Sequence, residues 1–151
     1  MSEKIDSIIE QLKTSKKIEN WQILTWDEFE SELKKLKTEI SSKIIVSAVK
    51  GIIPESGLLV GEHFHKKHAV DLNNIVVLAG PCHAEEVALE RLSYLTIACA
   101  NLDIAGTVSE QFSSNYIRTN TNDDVMGAEY AAMLKNIYAI AAGIAHGLGY
   151  G

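Results

Sequence analysis

Two loops carry residue types that could take part in chemistry. Lys50 follows an apolar run that predicts a strand, and a glycine comes directly after it. An ammonium group there can meet an anionic or carbonyl oxygen, although a solvated lysine at a strand end is the commoner arrangement. Gly80 and Pro81 follow a second strand-like run, where glycine permits a close approach of the backbone to a ligand. An ordinary turn from strand to helix would use the same two residues.

The two loops are expected to border one crevice if the strands before them are neighbours in a sheet. Ligands of open α/β sheets bind beyond the carboxyl ends of the strands. A helix predicted to open near Cys82 would have Pro81 at its start. Its first N–H groups would then point at an anionic or polar ligand group, with Glu85 and Glu86 at its positive end.

Lys135 lies in a long alanine-rich stretch that predicts a helix. At helical spacing its neighbours one turn away are Ala131, Ala132 and Ala139. A lysine among such small side chains can approach a substrate closely, and in so apolar a helix it needs a partner or access to water. An exposed lysine at the outer edge of the helix explains the spacing equally well.

The histidines and cysteines indicate no metal site and no nucleophile. His63, His65 and His68 lie in a lysine-rich run, and no cysteine or carboxylate completes a set of metal ligands. Cys82 and His83 are adjacent, so they rarely face each other on a helix, and no third group orients them. Two cysteines in 151 residues do not make a disulfide framework.

Alternating strand-like and helix-like segments predict an α/β sheet with parallel strands at its centre. The expected strands are 43–49, 75–79, 93–99 and 116–119, the first two buried on both faces, and residues 21–26 are also rich in strand formers. The expected helices are 3–13, 27–40 with Asp27 as N-cap, one ending near 67, one opening near 82, 103–113 and 127–145. The last helix carries an apolar stripe that is expected to lie in a core: Met133, Ile137, Ile140 and Ile144.

Composition limits the classes of partner. A length of 151 residues fits one domain, or one domain and part of another. The net charge of −6 argues against a nucleic-acid surface, which usually needs a basic patch. No run approaches the roughly 18 apolar residues of a membrane span, and the N-terminus does not have the pattern of a signal peptide. We therefore expect a reduced, cytoplasmic protein that binds neither nucleic acid nor membrane.

Four segments resemble bacterial glycerol-3-phosphate dehydrogenase, in the right order and at the right spacing. They are SAVKGI (47–52), AGPCHAEEVA (79–88), LSYLTIA (92–98) and EYAAMLKNIYAIAAGIAHGLGYG (129–151). The resemblance implies a partial Rossmann-like sheet with flanking helices over residues 1–126, of which 1–30 do not match the family. It implies that residues 127–151 begin an all-α C-terminal domain with its first long helix.

The resemblance also implies a reaction and roles for single residues. The reaction is reversible hydride transfer between NADH or NADPH and dihydroxyacetone phosphate, which gives sn-glycerol 3-phosphate for glycerophospholipid synthesis. Lys135 matches the catalytic lysine, the proton acceptor in the oxidative direction. Besides Lys135, the positions that match substrate-lining residues are Lys50, Gly80, Cys82 and Asn136. Those that match cofactor contacts are Lys50 and Ala84.

Departures from the family pattern leave alternatives open. The chain has no GxGxxG loop for a dinucleotide, and it ends before the remaining helices of the family. Cys82 stands where most bacterial members carry serine, and a thiol is a weaker hydrogen-bond donor. We therefore interpret the chain as an incomplete piece of a dehydrogenase, with its own activity, its choice of NAD or NADP and its assembly into a homo-oligomer left open. The alternatives are a non-catalytic truncated product and a dehydrogenase for another hydroxy acid.

Overall fold

The computed structural model describes residues 26–36 and 39–150, which divide into two compact units, 1–37 and 38–151. The first unit contains one described helix, α1 (Trp26–Lys35), with acidic side chains in its first turn and lysines in its last. These charges complement the helix dipole. The predicted helix over 27–40 is therefore confirmed but shorter, and Asp27 lies within its first turn. The segments 3–13 and 21–25 lie outside the described residues.

The second unit is a four-stranded sheet flanked by helices, which confirms the fold class expected from the sequence. Its strands are β1 (Ile45–Ser47), β2 (Ile75–Ala79), β3 (Ser93–Ala98) and β4 (Ile117–Asn122). Its helices are α2 (Val60–His68), α3 (Ala84–Ala88), α4 (Leu102–Phe112) and α5 (Val125–Gly147). Two single 3₁₀ turns, Ile40–Ser42 and Leu72–Asn74, precede β1 and β2.

The sheet is mixed, with the order β1-β2-β3-β4. β1 pairs with β2 in parallel and β3 with β4 in parallel, but the central pair, β2 and β3, is antiparallel. The prediction of parallel strands at the centre is therefore wrong. The reason is the short helix α3, whose five residues span about 7.5 Å at 1.5 Å per residue. A helix this short cannot return the chain to the other end of β2, so β3 starts beside the carboxyl end of β2 and runs antiparallel to it.

The core lies where β2 and β3 meet α4. Val76 and Ile97 are fully buried there, packed with Ala105 and Val108 of α4. Asn101 caps α4 by accepting hydrogen bonds from the N–H groups of the first turn. β2 has the bounds predicted for it, 75–79, and it is the most continuously buried strand of the sheet.

Two surfaces predicted to be buried are exposed. β1 is short, and Val46 at its centre is 42% exposed, because β1 is the edge strand and pairs only with β2 among the described residues. Most of the apolar stripe of α5 is exposed as well, at 60% for both Ile137 and Ile144, whereas Met133 is half-buried. α5 packs on β2 and β3, and no described element covers the side that carries the stripe. The sequence correctly marked both surfaces as apolar, but the layers that would cover them are not among the described residues.

In the described part of the chain, none of the helices combines the length and apolarity that crossing a membrane requires.

Candidate functional site

A cavity of about 580 Å³ lies at the carboxyl ends of β1 and β2, beside the first half of α5. Because β1 and β2 are parallel neighbours, the loops that follow them lie at the same edge of the sheet. Lys50 comes from the first loop, Gly80 from the second, and Lys135 from α5. The structure thus brings together three residues that lie far apart in the sequence, and all three line one cavity.

Gly80 has a conformation that only glycine adopts without strain. Its φ is +123°, and a Cβ atom at this position would lie 2.8 Å from the carbonyl oxygen of Tyr94 in β3. Real Cβ atoms do not approach backbone oxygen so closely. The close approach predicted for Gly80 is therefore present, but it is an approach to the neighbouring strand. It lets the chain leave β2 directly against β3 and forms one wall of the cavity.

The loop after Gly80 differs from its predicted form. The helix predicted near Cys82 is present as α3, but it begins two residues later, at Ala84 with His83 as its N-cap, so the prediction that Pro81 stands at its start is wrong. The N–H group of Cys82 donates to the carbonyl oxygen of Gly80 at 3.0 Å, which closes a tight turn before the helix. Glu85 and Glu86 lie in the first turn of α3, as expected.

Not every predicted site residue reaches the cavity. Cys82, Ala84 and Asn136 are outside its lining, whereas His83 and Thr96 are part of it. The sequence marks His83 only as a neighbour of Cys82. Its place at the end of a strand-to-helix loop was the signal that could have identified it.

α5 begins with a cap and then presents a face of small residues to the cavity. Asp124 is the N-cap, and its Oδ1 accepts a hydrogen bond from the N–H group of Gly127 at 2.8 Å. The small residues that line the cavity, Gly127, Ala128, Ala131 and Ala132, lead along the helix to Lys135. These positions recur at helical spacing on one side of α5. Two of the alanines predicted to surround Lys135, Ala131 and Ala132, therefore line the cavity beside it.

The charges that line the cavity suit an anion. Lys50 and Lys135 contribute two ammonium groups, and Asp124 is the only carboxylate among the lining residues. One oxygen of that carboxylate is already occupied by the cap of α5. Two cations converging from different elements can hold a phosphate or stabilise an oxygen on which negative charge develops.

A buried carboxylate, which we did not predict, lies on another side of α5. Glu129 is only 5% exposed, and its Oε1 accepts a hydrogen bond from the N–H group of Gly61 at 3.1 Å. Burial raises the pKa of Glu129, and the nearby charge of Glu62 raises it further, while the backbone N–H groups of Gly61 and Val60 lower it. Burial is the largest of these effects, so Glu129 has a pKa above its ordinary value.

Comparisons with known proteins agree on one family. Residues 22–105 match the family described as NAD-dependent glycerol-3-phosphate dehydrogenase N-terminus, and residues 124–151 match the corresponding C-terminus. Over 109 residues the chain is 47% identical to a glycerol-3-phosphate dehydrogenase [NAD(P)+] of Listeria monocytogenes, which covers 72% of this chain and 32% of that protein. The chain spans about a third of the length of the curated relatives it matches.

Solved structures point to the same fold. The crystal structure of glycerol-3-phosphate dehydrogenase from Coxiella burnetii has a TM-score of 0.57 and 31% identity, covering 71% of this chain and 32% of that one. A glycerol-3-phosphate dehydrogenase from Plasmodium falciparum has a TM-score of 0.67 over 82% of this chain and 34% of that one. At 24% identity, the second supports the fold alone.

Proposed function

This chain belongs to the NAD-dependent glycerol-3-phosphate dehydrogenase family, and from that premise we propose that its cavity binds dihydroxyacetone phosphate. The reaction is the reversible reduction of this ketone to sn-glycerol 3-phosphate, with NADH or NADPH as reductant. The product, sn-glycerol 3-phosphate, is used in glycerophospholipid synthesis. The observation that carries the proposal is the convergence of Lys50 and Lys135 on one cavity. A small phosphorylated ketone offers these cations both a phosphate and a carbonyl oxygen.

Lys135 is the residue to which we assign proton transfer. Reduction of a ketone builds negative charge on its oxygen, and a preorganised ammonium group stabilises that charge. The Nζ of Lys135 then gives its proton to the oxygen, and in the oxidative direction it takes the proton from the hydroxyl group. The small side chains of Ala131 and Ala132 leave the substrate room to approach Nζ.

The remaining roles divide between the two loops. Lys50 would hold the anionic substrate and the nicotinamide end of the cofactor, which supplies the hydride when bound. Gly80 shapes the wall opposite α5. The substrate contacts of Cys82 and Asn136 and the cofactor contact of Ala84 stay predictions, because these residues are outside the cavity lining. The expected cytoplasmic location, which rests on sequence patterns alone, also stays a prediction.

The test is turnover in a chimera. The matched 109 residues of this chain would replace their counterparts in the Listeria relative, and loss of nicotinamide absorbance would be followed with dihydroxyacetone phosphate. We expect turnover with this substrate and little with other hydroxy acids or sugars. A folded chimera without turnover, or one that prefers another hydroxy acid, would contradict the proposal. The same assay on the 151-residue chain tests whether this segment suffices alone.

We also propose that copies of the chain associate through the apolar stripe of α5. Ile137, Ile140 and Ile144 are each at least 60% exposed on one helix. Exposed apolar patches of this kind promote association. Sedimentation of the chain should therefore show a mass that rises with concentration, and the triple change of these residues to glutamine should suppress the rise. A wild-type monomer independent of concentration would contradict this proposal.

A further inference from the structure

The N-cap residue of α2 offers no side-chain acceptor to the first turn of the helix. The first N–H groups of a helix have no partner within the helix, and they are usually satisfied by a serine, threonine, aspartate or asparagine at the N-cap. The N-cap of α2 is Leu59, which makes no side-chain hydrogen bond. Glu62 turns back to accept from the N–H group of Leu59 at 3.3 Å. The N–H group of Gly61 therefore needs an acceptor from elsewhere in the chain.

Glu129 of α5 supplies that acceptor from 68 residues away. Its carboxylate lies at the positive end of the α2 dipole, where negative charge is favoured. Gly61 makes this approach possible, because a Cβ atom on residue 61 would lie 3.0 Å from Oε2 of Glu129 and 3.2 Å from Cγ2 of Ile75. Both distances are shorter than ordinary Cβ contacts, so a larger residue at position 61 would push its neighbours aside by a few tenths of an ångström. The contact thus favours a glycine on α2 and needs an acceptor on α5.

The contact also bears on the direction in which Lys135 points. Lys135 is six residues beyond Glu129, which corresponds to about 9 Å along an ideal helix and a rotation of about 240°. Glu129 therefore points toward α2 when Lys135 points toward the cavity. A rotation of α5 about its axis would move both side chains together. A contact that holds Glu129 at the N-terminus of α2 therefore restrains the direction of Lys135, in addition to the packing of α5 on β2 and β3.

We propose that Glu129 is a positioning residue, which by its hydrogen bond to Gly61 holds α5 in the rotation that directs Lys135 into the cavity. This inference rests on the function proposed above for Lys135. We name the pair Glu129 and Gly61 the α5 anchor. It acts through Lys135 and does not touch the substrate.

The experiment uses the 151-residue chain with no substrate or cofactor. Its lysines carry ¹³C-methyl groups, the Lys135 signal is assigned by its loss in Lys135→Arg, and exchange of the Gly61 amide is followed by NMR. In Glu129→Ala we expect this amide to exchange about tenfold faster, the ratio that corresponds to one net hydrogen bond. The chemical shift of the Lys135 signal should change, because a turned α5 takes this exposed side chain away from the other residues that line the cavity. In Glu129→Gln, whose amide oxygen can still accept, both readouts should stay near wild type.

A matched control separates positioning from stability. Val108→Ala removes buried methyl groups from the core around α4, which lowers stability without touching the α5 anchor. We expect it to leave the Lys135 signal in place. The proposal is overturned if Glu129→Ala leaves the Lys135 signal unchanged, or if Val108→Ala moves that signal as far as Glu129→Ala does.

Gly61→Ala provides a second route if Glu129→Ala does not fold. The added methyl group should push the carboxylate away and move the Lys135 signal in the same direction, whereas an unmoved signal would overturn the proposal. Because none of these readouts uses substrate, their failure would leave the proposed function standing. Absence of turnover in the chimera would likewise leave the α5 anchor untouched.

The pH dependence of stability tests the burial of Glu129 separately from its hydrogen bond to Gly61. A carboxyl group whose pKa is raised on folding contributes stability at low pH, and this contribution is lost as the pH rises through the folded pKa. Glutamine cannot titrate, so the free energy of unfolding of Glu129→Gln relative to wild type should increase with rising pH. Glu129 also lines a second cavity, of about 440 Å³, and the other ionisable residues that line it are Glu62, His65, Lys66, Asp123 and Asp124. Glu62→Gln is the control that removes the effect of the Glu62 charge on the pKa of Glu129.

Discussion

Replacing Lys135 with methionine is expected to lower kcat for reduction of dihydroxyacetone phosphate by about 10²- to 10³-fold in the chimera. Positioned proton transfer contributes typically 10²- to 10⁴-fold, and loss of a preorganised cation beside a developing oxyanion costs a similar factor. Methionine has similar length and no charge, so the helix should keep its shape. Steady-state kinetics with saturating cofactor measure the effect.

Two further variants define what Lys135 contributes. Lys135→Arg keeps a positive charge but holds its proton too tightly to exchange it with the substrate, so we expect KM near that of wild type and a low kcat. Lys66→Met is the control, because Lys66 is an exposed lysine on α2 that pairs with Glu62 at 3.0 Å and is outside the cavity. An arginine variant with wild-type kcat would show that Lys135 provides only charge.

Replacing Gly80 with alanine is expected to destabilise the second unit by about 2–3 kcal/mol. A non-glycine residue in a disfavoured backbone region costs about 1–3 kcal/mol. Here the added Cβ atom also meets the carbonyl oxygen of Tyr94 at 2.8 Å, so β2 and β3 must move apart. Urea denaturation followed by circular dichroism measures the loss. The cavity wall should move as well, so the variant chimera should also lose turnover.

Gly106 offers a matched control for this substitution. It lies within α4, and a Cβ atom there would meet no atom within 4 Å. Alanine is favoured over glycine inside a helix by roughly 0.5–1 kcal/mol, so Gly106→Ala should stabilise the same unit. If Gly80→Ala were as stable as wild type, our account of the turn between β2 and β3 would be wrong.

The elements that depend on local sequence were predictable. β2, β3 and α4 lie close to their predicted bounds, because β-branched runs and helical periodicity act over neighbouring residues. The direction of β3 was not predictable from those patterns. It depends on whether the short segment around α3 can span the length of β2, and the sequence indicated a helix there without its length.

The buried surfaces and the candidate site could likewise be predicted only in part. The alanines around Lys135 could be predicted from the helical spacing, and the loops of Lys50 and Gly80 could be predicted from the strand-like runs before them. The exposure of Ile137 could not be predicted, since its burial depends on which surface covers the stripe. Glu129 was equally hidden, because its partner is a backbone amide 68 residues away and no side-chain pattern marks such a contact.

The central claim is that Lys50 and Lys135 face one bound substrate, and NMR of the chimera with ¹³C-methylated lysines tests it most directly. The two signals would be assigned by their loss in Lys50→Arg and Lys135→Arg, and glycerol 3-phosphate would be added stepwise. Our account predicts that both signals shift with a single dissociation constant while that of Lys66 stays fixed. Signals that do not move at saturating ligand, or that move with different midpoints, would contradict it.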